Sequence, residues 1–264
     1  MIGRFARGPV LADTDGMVAL GLVLSLAIGL SLGLLGGGGS ILTVPVLHYT
    51  LGLGVHDAIG ASLLVVGVTS SVALVPHARA GQVRWRTGLA FGAASMVSAF
   101  AGGRLGALLP GPILIAAFAL VMIGAAIAML VRARAPQRLR AAEHVHLPRV
   151  LAAGLGVGLV TGVLGAGGGF VIMPALTLLG GLAVREAVAT SLLVIAMNTF
   201  AGLAGSAAHM HIDAGIVAAV TALAVAGSLV GARIGRRLPA HHLQRGFGWF
   251  VIVVAAFILL RELI

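Results

Sequence analysis

Gly33-Leu34-Leu35-Gly36-Gly37-Gly38-Gly39, running on to Pro45 and Leu47, returns later in the chain as Gly162-Val163-Leu164-Gly165-Ala166-Gly167-Gly168, running on to Pro174 and Leu176. A single spacing of 129 residues, from Gly36 to Gly165, aligns the two stretches without a gap. The same spacing superimposes Gly52, Leu53, Ala58, Ser62 and Leu63 on Gly181, Leu182, Ala187, Ser191 and Leu192. Further on it pairs Gly102, Arg104, Gly106 and Pro110 with Gly231, Arg233, Gly235 and Pro239. The chain is therefore an internal duplication, with a glycine-broken apolar segment at the corresponding place in each half. In a membrane protein that pattern points to a transporter whose site lies between the repeats.

Composition makes it a membrane protein. Of the 264 residues, 59% are hydrophobic and only 9% charged, with a mean hydropathy of +1.13; soluble domains carry about a quarter charged residues. Apolar segments run over residues 17–35, 41–53, 58–75, 87–109 and 112–131, and again over 150–164, 170–182, 187–208, 214–234 and 247–260. The expected architecture is all-α and polytopic: two homologous repeats of about five hydrophobic segments, giving eight to ten transmembrane helices. Segments 41–53 and 170–182, at thirteen residues each, are short for a full span and suit broken or re-entrant pieces. The expected divisions are an aqueous tail over 1–16, a first transmembrane repeat over 17–131, a basic linker over 132–149 and a second repeat over 150–264. Arg4, Arg7, Asp13 and Asp15 argue against a cleavable signal peptide in the tail.

The positive charge sets the topology. All 17 basic residues are arginine and the formal net charge is +10. They fall almost entirely between apolar segments, as cytoplasmic loops require, which disfavours a nucleic-acid partner. The linker holds Arg132, Arg134, Arg138, Arg140 and Arg149, and an earlier gap holds Arg79, Arg84 and Arg86; both are expected in the cytoplasm. The gap equivalent to the earlier one reads His209-Met210-His211-Ile212-Asp213, without arginine. Corresponding loops thus face opposite sides, and the repeats are expected to be inverted, each with five crossings or three plus a re-entrant hairpin. Arg4, Arg7, Arg104 and Arg261 are then left outside. Four crossings per half would instead make the repeats parallel.

Consecutive glycines break a helix, since each weakens it by about 1 kcal/mol relative to alanine. A break at membrane depth is tolerated only where it faces protein or a water-filled cavity. The helices restarting after Gly39 and Gly168 would offer free N–H groups and a positive dipole end to an anion. Gly36, Gly38, Gly39, Gly165, Gly167 and Gly168 are therefore candidate binding residues, with Pro45 and Pro174 fixing the breaks. Ser62, Thr69, Ser191, Asn198 and Thr199 form a second paired polar patch, suited to donate hydrogen bonds to an oxyanion without fixed positive charge. Hydroxyls in membrane helices also bond back to their own backbone, the simpler role. Gly102-xxx-Gly106 and Gly231-xxx-Gly235 read as helix packing.

Asp57 and Glu186 occupy equivalent positions at the start of the third segments, where an acid compensates a helix dipole or couples protons. Histidine is the residue type suited to proton transfer at physiological pH, which makes His48 a third coupling candidate, although its counterpart is Thr177. The pairs His144/His146, His209/His211 and His241/His242 lack a supporting cysteine or carboxylate cluster, so no metal site is expected. The chain has no cysteine, no phosphate-binding loop, no Gly-x-Ser-x-Gly elbow and no His-Glu-x-x-His motif. Neither an enzyme nor a bound cofactor is expected.

The duplicated glycine-rich stretches, the prolines after them, and Ala58-Ile59-Gly60-Ala61-Ser62-Leu63 with Ala187-Val188-Ala189-Thr190-Ser191-Leu192 resemble the TauE/SafE family of sulfite and sulfonate exporters. The resemblance covers about residues 17–260. It implies a multi-pass protein of the bacterial cytoplasmic (inner) membrane that moves sulfite, sulfoacetate or a related anion, coupled to an ion gradient. Its partners would be a small anion and the lipid bilayer, with homo-oligomerisation left open by the sequence. An anion channel and a non-transporting scaffold are the rival readings.

Overall fold

The computed structural model describes residues 11–106, 108–134, 147–164, 169–206, 214–235 and 237–263. Among these the chain is helical, without strands: α1 Leu11–Leu35, α2 Gly38–Pro45 prolonged by one π-helical turn Val46–Thr50, α3 Val55–Arg79, α4 Trp85–Gly106, α5 Gly111–Arg134, α6 Leu147–Leu164, α7 Gly169–Leu178, α8 Val184–Ser206, α9 Ala214–Gly235 and α10 Ala240–Leu263. The 129-residue spacing carries the bounds of α4 onto α9 and of α5 onto α10, and the start of α3 onto that of α8. Helix α1 begins before its apolar stretch and takes in Asp13 and Asp15, acids that suit a helix N-terminus. By length and hydropathy α3, the Val184–Ala204 part of α8, and α9 can each cross a bilayer, and Leu20–Leu35, Ile113–Ala128 and Val150–Leu164 are shorter apolar stretches. The protein is an all-α membrane protein.

The halves interlock. The most extensive helix contacts pair α4 with α6 and α1 with α9, each a first helix of one half with a fourth helix of the other. Glycine makes these pairings, because lipid removes the hydrophobic drive between helices and leaves close packing to hold them. A Cβ at Gly154, Gly158 or Gly162 would collide with the backbone at Phe91, Ser95 or Ala99 respectively. A Cβ at Gly29, Gly33 or Gly231 would overlap the carbonyl of Ala224, Ser228 or Leu30. Residue numbers rise together along both seams, so these helices run parallel. Gly102, Gly106, Gly231 and Gly235 all sit in the seams, the packing role read from their spacing.

Helices α3 and α8 cross at the centre and run antiparallel: Gly67 meets Thr199 and Phe200, whereas Gly202 meets Leu63. Around them Ile28, Leu32, Val65, Val66, Ile172 and Ile195 are wholly buried. The outer faces of α4, α5 and α10 expose Val97, Leu120, Ile127, Trp249 and Val253, more apolar surface than a soluble protein leaves uncovered.

Gly158→Ala is expected to lower stability in detergent by about 1–3 kcal/mol through overpacking. Gly156→Ala, whose Cβ would meet nothing within 4 Å, is expected to leave the melting temperature unchanged or raise it slightly. Equal melting of the two variants would contradict the seam.

Candidate functional site

Helix α1 stops because Gly36 takes φ 73°, the left-handed conformation that glycine adopts without penalty. The turn is closed by Gly36 N–H to Leu32 O at 2.9 Å and Gly37 N–H to Leu35 O at 2.8 Å. Helix α2 restarts at Gly38, ahead of the restart after Gly39 that the sequence suggested, and Gly37 has no side chain with which to cap it. It then folds back along α1, since a Cβ at Gly39 would strike Ile28 and Leu32 while Gly21 faces Thr50 and Leu51. Gly39 is thus required by the hairpin itself.

Pro45 lies inside α2, and the turn after it is π-helical. The lost proline N–H and the widened turn go together. In the second half Pro174 lies inside α7. The two exits match: Leu51 N–H to Val46 O and Leu53 N–H to Leu47 O are mirrored by Gly180 N–H to Ala175 O and Leu182 N–H to Leu176 O. Gly165, Gly167 and Gly168 lie outside the described residues.

The first break touches the start of α7. A Cβ on Gly169 would lie 2.7 Å from the Gly37 Cα and 2.6 Å from the Ile195 side chain, and one on Gly36 would lie 2.6 Å from Ser191 Oγ. The tip of the first hairpin therefore rests on α8 of the second half, and against the start of α7. Just beyond, at the crossing of α3 and α8, sit the paired polar residues.

Two groups separate among them. Ser62 and Ser191 make the same bond at equivalent places, Oγ–H to Ile59 O and to Val188 O, both 2.8 Å. Thr199 Oγ1 donates to Ile195 O at 2.8 Å. These hydroxyls serve their own helices, the simpler of the two roles weighed from the sequence. Thr69 Oγ1, Ser70 Oγ and Asn198 Nδ2, in contrast, are buried without a partner. Asn198 is held by its other end, where Ser95 Oγ–H donates to Oδ1 at 2.6 Å. Burying a donor unpaired costs about 1–3 kcal/mol, and His77 Nε2 is likewise buried without a partner. Among the described buried residues only His77 is titratable, and the crossing is otherwise neutral.

The coupling candidates lie away from the crossing. His48 sits half-buried in the π-helical turn with Nδ1 2.7 Å from Leu53 O. It borders an apolar cleft with Pro45, Val55, Ile59, Leu114 and Leu164. Asp57 is half-buried in the first turn of α3. Glu186, in the first turn of α8, accepts a hydrogen bond from Arg84 Nη2 at 2.6 Å. That bond, and then the charge of the carboxylate, raises the pKa of Arg84 above its ordinary value. No group of three metal-ligating side chains occurs among the described residues. Ser95 and Arg84 escaped the sequence reading, because each acts on a residue more than a hundred positions away in the other half.

Thr69→Val keeps the shape and removes an unpaired hydroxyl. It is expected to raise stability without ligand by about 1 kcal/mol or more, read as a higher melting temperature in detergent. A lower one would mean that the hydroxyl has a partner.

Comparison with known proteins is consistent across the chain. The sequence profile of the family described as "Sulfite exporter TauE/SafE" matches residues 21–258. A "Probable membrane transporter protein" of Xylella fastidiosa (strain Temecula1) is 35% identical over 243 residues, covering 89% of this chain and 92% of that one. "Probable membrane transporter protein MJ0441" of Methanocaldococcus jannaschii is 28% identical over 92% of this chain and 96% of its own. "Probable membrane transporter protein YdhB" of Bacillus subtilis is 26% identical over 80% and 88%. No solved structure matches. These relatives are named as probable transporters and not as enzymes, and the chain, a multi-pass membrane protein, belongs to the TauE/SafE sulfite exporter family.

Proposed function

We propose that the chain is a secondary transporter carrying a small sulfur-containing anion, sulfite, sulfoacetate or a related organosulfonate, across the bacterial cytoplasmic membrane by alternating access. The observation that carries this reading is the trio of unpartnered donors, Thr69, Ser70 and Asn198, on α3 and α8, with the first glycine break resting on α8. Neutral hydroxyl and amide donors stabilise an oxyanion without a buried countercharge, so the anion can also leave. The start of α2 adds the positive end of a helix dipole from the first hairpin. The substrate class rests on the family description.

In this reading the halves are inverted repeats, supported by the antiparallel course of α3 and α8. Each half contributes three crossings and one re-entrant hairpin, α1–α2 or α6–α7. The first hairpin is the candidate re-entrant piece of its half, with Gly37 at its tip lying against Gly169 at the start of α7. Arg79, Arg84, Arg86, Arg185, Arg237 and the 132–149 linker then share one face, the cytoplasmic one. Proton coupling is assigned to His48, with Asp57 and Glu186 as the acidic candidates.

Purified protein in proteoliposomes on a solid-supported membrane tests the proposal with sulfite, sulfoacetate, thiosulfate, sulfate and chloride. The expected result is a saturable current with a sulfur oxyanion, altered by a pH gradient. Asn198→Leu should weaken apparent affinity about tenfold or more by removing a donor to a charged ligand. Absence of current with every anion would contradict the proposal.

A further inference from the structure

Equivalent positions of the two halves do not sit in equivalent surroundings. On the first half Pro45, His48, Val55, Ile59 and Leu114 border the cleft, which reaches Leu164, the residue preceding the second glycine break. The 129-residue spacing carries these five onto Pro174, Thr177, Val184, Val188 and Leu243. His48 and Ile59 are half-buried, whereas Thr177 is 4% and Val188 3% exposed. Val188 is sealed in a cluster with Ile41, Phe118, Leu164 and Met173.

Polar contacts gather at the start of α8. The loop after α3 is tied to α8 of the other half by Arg84 Nη2 to Glu186 Oε1 at 2.6 Å and by Arg84 N–H to Thr190 Oγ1 at 3.0 Å. Arg185 Nη2 donates to Leu238 O at 3.0 Å, tying the start of α8 to the connection before α10. The equivalents of Arg84, Glu186, Thr190 and Arg185 are Asp213, Asp57, Ala61 and His56. Two acids and an alanine cannot rebuild that clasp on the opposite face.

We propose that this conformation is one of two alternating states, open toward the His48 face, and that the Arg84–Glu186 clasp closes a second, equivalent cleft around Thr177 and Val188. The inference rests on the transport reading and adds to it the closed entrance and the contacts that hold it. Exchanging the surroundings of the two halves generates the other state: the Thr177 cleft opens, and the His48 cleft closes over Ile59. The clasp is an exposed ion pair, with Arg84 60% and Glu186 28% accessible at the side chain. Such pairs are weak, so this one biases the equilibrium without locking it.

The chain has no cysteine, so single thiols report the two clefts directly. Ile59→Cys and Val188→Cys are each combined with Arg84→Ala, with Glu186→Ala, and with the exchange Arg84→Glu plus Glu186→Arg. Each protein is treated with a membrane-impermeant maleimide from one face of sealed vesicles, then from the other. With the clasp intact, the Ile59→Cys thiol is expected to label from the His48 face and the Val188→Cys thiol to resist. Arg84→Ala or Glu186→Ala should raise Val188→Cys labelling from the opposite face roughly threefold, the range of an exposed pair. The same variants should lower labelling of Ile59→Cys, and the charge exchange should restore both rates. Protection of Val188→Cys in every variant, or its labelling from the His48 face, would overturn the proposal. Anion flux through the same vesicles separates the two claims. Flux with Val188→Cys protected throughout defeats the clasp alone; reciprocal labelling without flux defeats the transport reading and supports the clasp.

Discussion

Lipid offers no hydrogen-bond partner to a peptide N–H or C=O, so a helix cannot be interrupted within a bilayer unless the interruption is covered by protein or water. This chain interrupts two helices, and much of the structure answers the resulting demand. The first break is turned by Gly36 in a conformation other residues resist, then laid on α8 against Ser191. The second half begins its short helix against the first break, at Gly37. The second half thus covers what the first leaves open. The long seams of glycine between α1 and α9, and between α4 and α6, bring the backbones close enough for that to happen.

Covering the breaks creates a central polar patch with a division of labour. Ser62, Ser191 and Thr199 satisfy themselves on their own helices, whereas Thr69, Ser70 and Asn198 keep donors in reserve. Stability and function pull apart at such a place. The unpaired donors cost free energy in the empty protein and, in the proposed function, would recover it when an anion arrives. Ser95 extends the arrangement by fixing the Asn198 amide from a third helix.

Much of this was legible in the sequence, because duplication and glycine breaks are local patterns. Comparing Gly36 with Gly165 and Pro45 with Pro174 gives two halves with a broken helix in each, and hydropathy gives the long helices within a few residues. What stayed hidden depends on contacts between halves. No periodicity indicates that Gly169 meets Gly37, that Ser95 reaches Asn198, or that Glu186 pairs with Arg84 rather than merely facing a helix dipole. The choice between a hydroxyl that bonds its own helix and one that stays free depends on rotamer and neighbours, and Ser62 and Thr69 look alike until both are seen. The second glycine break itself, Gly165 to Gly168, lies outside the described residues, so its part in the site rests on the repeat alone.

The proposed site depends on the tip of the first hairpin lying against the start of α7, Gly37 against Gly169. In a chain without native cysteine, Gly37→Cys combined with Gly169→Cys tests that contact directly. Mild oxidation in native membranes should link the two thiols within one chain, shown by trypsin cleavage in the arginine-rich linker followed by a mobility shift that reductant reverses. Failure to cross-link in folded, membrane-inserted protein, with both thiols reactive, would contradict it.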